Sequence, residues 1–258
     1  MTLPRIAEMA GLWRRSLIAW PDGRRDTTTS VSWLQGEAAY IDLRQPADRP
    51  AFAGVAALAD LDADGVAWLA RQEGFAGTFV FDGTWFEWQR EIDFQPQALY
   101  SDAGSLRYEE DYMVEEGRDV PYIEHWHRDS RPGMTVAAAS LASDEGPAAL
   151  LRVGDLFMYA RGRATALDGG RHLTEHVAGA ASLAQAREMI DCEISLGLIR
   201  DGAWIIQRST LPYRECLNLA PKVRSSRLEI RETDAAGKTF ARSFHLDKVE
   251  GGLSALGS

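Results

Sequence analysis

The stretch FAGTFVFDGTWFEWQREIDFQPQALYSDAGSLRYEEDYMVEEGRDVPYIEHWHR, residues 75–128, decides how the chain is read. Its aromatic and β-branched residues alternate with polar ones, as side chains do on the two faces of a strand. Three strands are expected, over residues 79–94, 105–114 and 120–128, with turns at Ser101-Asp102-Ala103-Gly104 and Glu116-Gly117-Arg118-Asp119. Parity puts Phe86, Trp88, Arg90, Ile92 and Phe94 on one face of the first strand. Leu106, Tyr108, Glu110, Tyr112 and Val114 share a face of the second, and Val120, Tyr122, Glu124, Trp126 and Arg128 a face of the third. Each face is aromatic and each holds a charge at its centre: Arg90, Glu110 and Glu124. Such charges are costly to bury unless they pair with each other or with a ligand. The three strands are therefore expected to wall a ligand site, extended by Trp33 and Gln35, which share a face with Val31.

Upstream, residues 11–20 read as a strand before the Pro21-Asp22-Gly23 turn, and residues 27–35 and 38–44 as a hairpin around Gly36-Glu37. Leu58, Leu61, Val66 and Leu69 give helical spacing over residues 56–71. Downstream, residues 129–133 (DSRPG) read as a boundary, after which the order repeats. A short strand at 134–141 precedes a hairpin around Gly154-Asp155 and an Ala-rich helix over 173–190, which Ser182 can cap or restart. Strands follow at 193–199, 204–210, 227–233 and 240–246. Arg44 and Arg161, Asp82-Gly83 and Asp201-Gly202, and Trp126-His127 and Phe244-His245 recur at spacings of about 118 residues, the signature of a tandem duplication.

The expected fold is mainly β: two tandem lipocalin-like (calycin) antiparallel β-barrels or half-barrels, each with one helix, over residues 1–130 and 131–258. Closure of such meanders removes exposed edges. One β-sandwich shared across the repeat is the alternative.

The 258 residues are 45% hydrophobic and 26% charged, an ordinary globular composition. A net charge of −10 argues against nucleic acid or an anionic membrane as partner. Eight Trp fit aromatic-lined interiors. Cys192 and Cys216 are too few for a disulfide framework and suit a reducing cytoplasm, although one bridge between them is open. Glu8, Arg14 and Arg15 interrupt any signal peptide, and no run approaches the roughly 20 apolar residues of a membrane span, so a cytoplasmic location is expected.

Gly11-Leu12-Trp13 resembles the Gly-x-Trp that opens the first lipocalin strand. DTTTSVSWLQ (26–35), YIDLRQP (40–46), WQREIDFQP (88–96), GDLFMYARGR (154–163) and STLPYRE (209–215) together resemble the fungal Hri-type proteins and their bacterial relatives over most of the chain. That resemblance implies two calycin-like barrel lobes and no particular reaction.

Other motifs carry less. His125-x-His127 has metal-ligand spacing, but no third His lies near and parity points both outward; no metal is expected. Asp60-x-Asp62-x-Asp64-Gly65 opens like a calcium loop, yet Arg71 stands where a bidentate Glu is required, so these aspartates are expected to cap a helix. Cys216 follows Glu215, which disfavours a thiolate, and reads as a small packed side chain. No phosphate loop or Gly-x-Ser-x-Gly elbow is present, and no cofactor is expected. Arg208, Glu232 and Arg242 leave a second polar pocket open in the C-terminal lobe, expected to be mainly scaffold.

The leading expectation is binding of a small lipophilic or aromatic acidic molecule in the N-terminal lobe, with ligand contacts from Trp33, Gln35, Trp88, Arg90, Tyr108, Tyr112, Tyr122, Glu124 and Trp126. The alternative is a cofactor-free lyase, hydratase or isomerase in which Glu124 or Glu110 moves a proton and Arg90 stabilises negative charge. A third is an interaction protein whose barrels are filled by their own side chains.

Overall fold

The structure, a computed structural model, describes residues 3–129 and 133–257; of the expected boundary at 129–133, residues 130–132 lie outside the described residues. Two antiparallel sheets follow one another along the chain. The first is built from β1 (Gly11–Ala19), β2 (Arg25–Asp26), β3 (Ser30–Gln35), β4 (Ala39–Gln45), β5 (Glu73–Phe81), β6 (Phe86–Asp93), β7 (Ala103–Tyr108), β8 (Met113–Gly117) and β9 (Ile123–Arg128). Its order is β2-β1-β3-β4-β5-β6-β7-β8-β9, and β1 pairs with β9, which closes eight strands into a barrel with β2 attached outside the ring.

The second sheet holds β10 (Val136–Ser143), β11 (Gly146–Val153), β12 (Leu156–Arg161), β13 (Glu193–Arg200), β14 (Ala203–Ser209), β15 (Lys222–Arg224), β16 (Arg227–Thr233) and β17 (Thr239–Gly251). It runs β14-β13-β12-β11-β10-β17-β16-β15 and curls without closing. A short segment spans the gap: Cys216 and Leu219 donate backbone hydrogen bonds to Ile206 and Trp204, and Arg231 donates to Leu219.

Stretch 75–128 thus contains five strands rather than three. Asp82 accepts from the backbone N–H groups of Thr84 and Trp85 and turns the chain between β5 and β6. Glu109 and Tyr112 close a second tight turn between β7 and β8. Each break resets parity, with consequences for the site.

One helix interrupts the first lobe. α1 (Ala63–Leu69) buries Val66, Trp68 and Leu69, and Asp62 caps it by accepting from Gly65 N at 2.8 Å. The calcium-like aspartates therefore do cap a helix. The single helix expected over 173–190 is two, α2 (Leu173–Ala178) and α3 (Leu183–Ile190), with Ser182 restarting the second as its N-cap. Both cysteines are free.

The outer faces of β3, β4 and β5 pack against β11, β12 and β13. Leu34, Ile41, Leu43 and Ala76 meet Leu151, Met158, Ala160 and Ile194 in one core that also takes in the helices. Strands buried on both faces lose polar alternation, which explains the continuous burial from Val31 to Gln35 in β3 and over the first five residues of β13.

Candidate functional site at the mouth of the closed barrel

The barrel interior divides into an aromatic floor and a charged mouth. Trp13, Trp33, Phe79, Phe86, Trp88 and Trp126 fill the floor. Trp33 sits at the centre, with Phe79, Trp88 and Trp126 edge-on at 5.3–5.5 Å between ring centroids. This geometry favours aromatic pairs. Gln35 is fully buried and accepts from Trp33 Nε1 at 3.0 Å. The floor is full of its own side chains.

Above it, the inner faces turn polar. β4 contributes Asp42 and Arg44, which pair at 2.9 Å. β1 contributes Arg15, which reaches Glu124 on β9 at 2.5 Å, with Arg44 3.9 Å from the same carboxylate. A bulge between β5 and β6, where the register slips between Ala76 and Gly77, changes which side chains follow Trp88 inward. A Cβ on Gly77 would lie 1.9 Å from Gln89 O, so only glycine fits there. Past the bulge Ile92 and Phe94 point into the core between the sheets, and Asp93 joins Arg90 at the mouth.

Arg90 has 27% of its side chain exposed and is held by Asp93 at 2.9 Å and Asp102 at 2.6 Å. Its guanidinium lies 3.6 Å from the centroid of Phe75, with that of Arg44 4.9 Å from the same ring. The expected set of Arg90, Glu110 and Glu124 does not assemble. Glu110 is exposed on the turn between β7 and β8, and Tyr112 lies on the outer face against the His125 ring at 4.6 Å. Both follow from the parity reset at that turn. Tyr108 stays inside, stacked on Trp13 at 6.5 Å.

Asp42, Arg44 and Arg15 were not among the expected site residues, and neither was Glu115. It lies directly opposite Glu124 across β8 and β9, on the inner face with Met113 and Gly117. Its Oε1 lies 2.6 Å from the Tyr122 hydroxyl oxygen, and its Oε2 accepts from Trp126 Nε1 at 3.0 Å, so both partners are neutral. Burial above all, then the charge of Glu124, pushes the Glu115 carboxyl well above the usual range. Burial also raises Glu124, against the pull of Arg44 and Arg15. The buried Tyr40 hydroxyl has no hydrogen-bond partner among the described residues.

At this mouth opens a cleft of about 910 Å³. Trp88, Arg90, Asp93, Asp102 and Tyr122 line its barrel side; residues 95–103 line one flank, and Arg163, Ala166 and Leu167 of the second lobe line another. Leu99 and Tyr100 stand exposed on that flank. The lining carries five acidic side chains and three arginines.

The fold is similar to that of a solved structure from Saccharomyces cerevisiae, the uncharacterized protein YLR301w. The two align with a TM-score of 0.52 over 93% of this chain and 98% of that one, at 11% identity. The likeness extends through both sheets and concerns the fold alone. No family model and no curated protein matches the sequence. Among the described residues no helix is long and apolar enough to cross a membrane.

Proposed function

We propose that this chain is a lipocalin-like, cytoplasmic protein of the Hri-type group that binds a small, partly aromatic molecule at the mouth of its closed barrel. The observation that carries this reading is the cleft itself. Ligand sites typically measure roughly 300–1,000 Å³ and combine apolar walls with a few placed polar groups, and this one sets Trp88, Leu99 and Tyr100 around the ion pairs of Arg90. A protein serving only as an interaction scaffold would need no such opening; here the filled interior stops at Trp88 and space begins at Arg90.

The charge balance refines the ligand. Arg90 is already occupied by Asp93 and Asp102, and acidic side chains outnumber arginines around the cleft. Both features favour a ligand whose polar group is uncharged over the acidic group that Arg90 alone suggests. A cofactor-free enzyme is the second reading, favoured by the buried Glu115 that bonds to a cleft residue, Tyr122, and so brings an acid within one hydrogen bond of the cleft.

Native mass spectrometry of protein purified from cells, set against its denatured mass, tests the binding reading. A reproducible added mass in the wild type that falls in Tyr100→Ala is the expected result. An unliganded mass in every preparation, together with no change in Trp fluorescence when aromatic small molecules are added, would overturn it.

A further inference from the structure

The Tyr122–Glu115 contact has a donor direction, and that direction depends on one proton. Glu115 and Glu124 face each other in a desolvated interior, and two like charges so placed do not both ionise at ordinary pH. Glu124 has the cations: Arg15 at 2.5 Å and Arg44 at 3.9 Å. Glu115 has no ion pair among the described residues: it contacts the Tyr122 hydroxyl and the indole N–H of Trp126, and Arg44 acts on it from beyond ion-pair distance, more weakly than burial and Glu124. The nearby charge of Asp102 acts in the same sense as Glu124. The shared proton therefore resides on Glu115, in keeping with the upward displacement of its carboxyl.

Trp126 Nε1 donates to Oε2, which leaves the proton for Oε1, 2.6 Å from the Tyr122 oxygen. A protonated Glu115 donates to that oxygen, so the Tyr122 hydrogen must point elsewhere, and Tyr122 lines the cleft. An ionised Glu115 would reverse the bond and draw the Tyr122 hydrogen inward. The local backbone is shaped for this contact. Gly104 and Gly117 are paired across β7 and β8, and a Cβ on Gly117 would meet Tyr122 Cε1 at 2.5 Å.

We propose that Tyr122, oriented by a protonated Glu115, presents its O–H to the cleft and selects ligands carrying an uncharged carbonyl oxygen. This rests on the cleft being the binding site and names the chemistry of what it takes. Tyr122 is the group that touches the ligand; Glu115 is a positioning residue that holds the donor direction.

Two measurements test it. In infrared difference spectra of the ligand-free protein at neutral pH, wild type minus Glu115→Gln should show the stretching band of a protonated carboxyl. Absence of that band overturns the proposal and leaves the cleft reading standing. Ligand-observed NMR then compares acetophenone, benzoate and 1-phenylethylamine as matched probes. Acetophenone should bind best, with affinity about five- to tenfold lower in Tyr122→Phe, the loss of one hydrogen bond. Its binding should weaken as pH rises in the wild type and stay level in Glu115→Gln, whose amide keeps donating to Tyr122 at every pH. Equal binding of acetophenone to wild type and Tyr122→Phe, or the same pH profile in both Glu115 forms, would sink the donor assignment alone. No binding of any probe would remove the cleft reading with it. Thermal melting of each variant separates these outcomes from misfolding.

Discussion

The two sheets solve the same packing problem with different proportions of rings and aliphatic side chains. The closed barrel encloses a wide space and fills it with large rings, Trp33 and Trp126 among them. The open sheet packs an interior of alanines and aliphatic side chains, Ala137, Ala139, Leu150 and Ile230 among them, with Phe157, Tyr159, Trp204 and Phe244 as its rings. The polar ends differ in the connection that follows β6 in one and β14 in the other. Residues 94–102 swing outward, exposing Leu99 and Tyr100 and leaving a cleft of about 910 Å³. Residues 210–221 fold inward instead. Arg214 plugs the interior by pairing with buried Glu193 at 2.8 Å, and only about 260 Å³ remains beside Arg161, Glu232 and Arg242. A loop's direction, more than the strands beneath it, decides which lobe keeps a usable mouth.

The contrast can be broken most severely at the plug. Arg214→Ala leaves Glu193 buried without its cation, and the expected cost is about 3–5 kcal/mol, read as a fall in the urea midpoint. Trp33→Ala should cost a similar or slightly smaller amount, about 3–5 kcal/mol, because it opens a cavity where four rings meet. Enlargement should hurt the other lobe: Ala139→Leu overpacks a buried alanine position among larger side chains and should destabilise by about 1–3 kcal/mol. If Ala139→Leu proved neutral, the open sheet would have slack around that buried alanine.

A pH series sharpens the comparison further. The Glu115 carboxyl is raised above its ordinary 4.5 by burial and by Glu124. The folded chain therefore keeps a proton that the unfolded chain releases. Stability from this group is complete below 4.5 and is lost as pH climbs through the folded value. Denaturation midpoints of Glu115→Gln should decline less than wild type between acid and neutral pH; parallel curves would count against a neutral Glu115. The smallest effect belongs to the cleft flank. Tyr100→Ala, at an exposed site, should change stability by no more than about 0.5 kcal/mol while reducing any ligand-bound mass.

Much of this was legible before the structure. β1, β3, β4 and most second-lobe strands fall within a few residues of their expected positions, because Gly or Asp marks their turns; β15 was not expected, and β17 runs five residues past its expected end. Inner-face assignments held where the strand stayed regular, as at Trp88, Trp126 and Glu124. They failed where one residue of slip inverts every side chain beyond it. The Gly77 bulge exchanged Ile92 and Phe94 for Asp93. The turn at Glu109 and Tyr112 sent Glu110 and Tyr112 outside and brought Met113 and Glu115 inside. Arg15 escaped notice because its partner Glu124 lies on a strand distant in sequence, and Asp42 and Arg44, a pair within β4, because the mouth they face is assembled from strands far apart in the chain. The signal for Glu115 was present all the same: Met113, Glu115 and Gly117 alternate cleanly once EEDY at 109–112 is taken as a turn.

The seam between the sheets has a consequence for how the molecule comes apart. Gln45 and Gln72 hydrogen-bond to each other at 2.7 Å, and their amides reach the Ser209 and Thr210 carbonyls of the second sheet at 2.9 and 3.0 Å. The first half alone would leave these buried amides without their Ser209 and Thr210 acceptors, and each half would bare one side of the shared apolar core. A single cooperative melting transition is therefore the expected outcome of a thermal scan. Halves expressed apart would be insoluble alone and would recover the native spectrum only on being mixed.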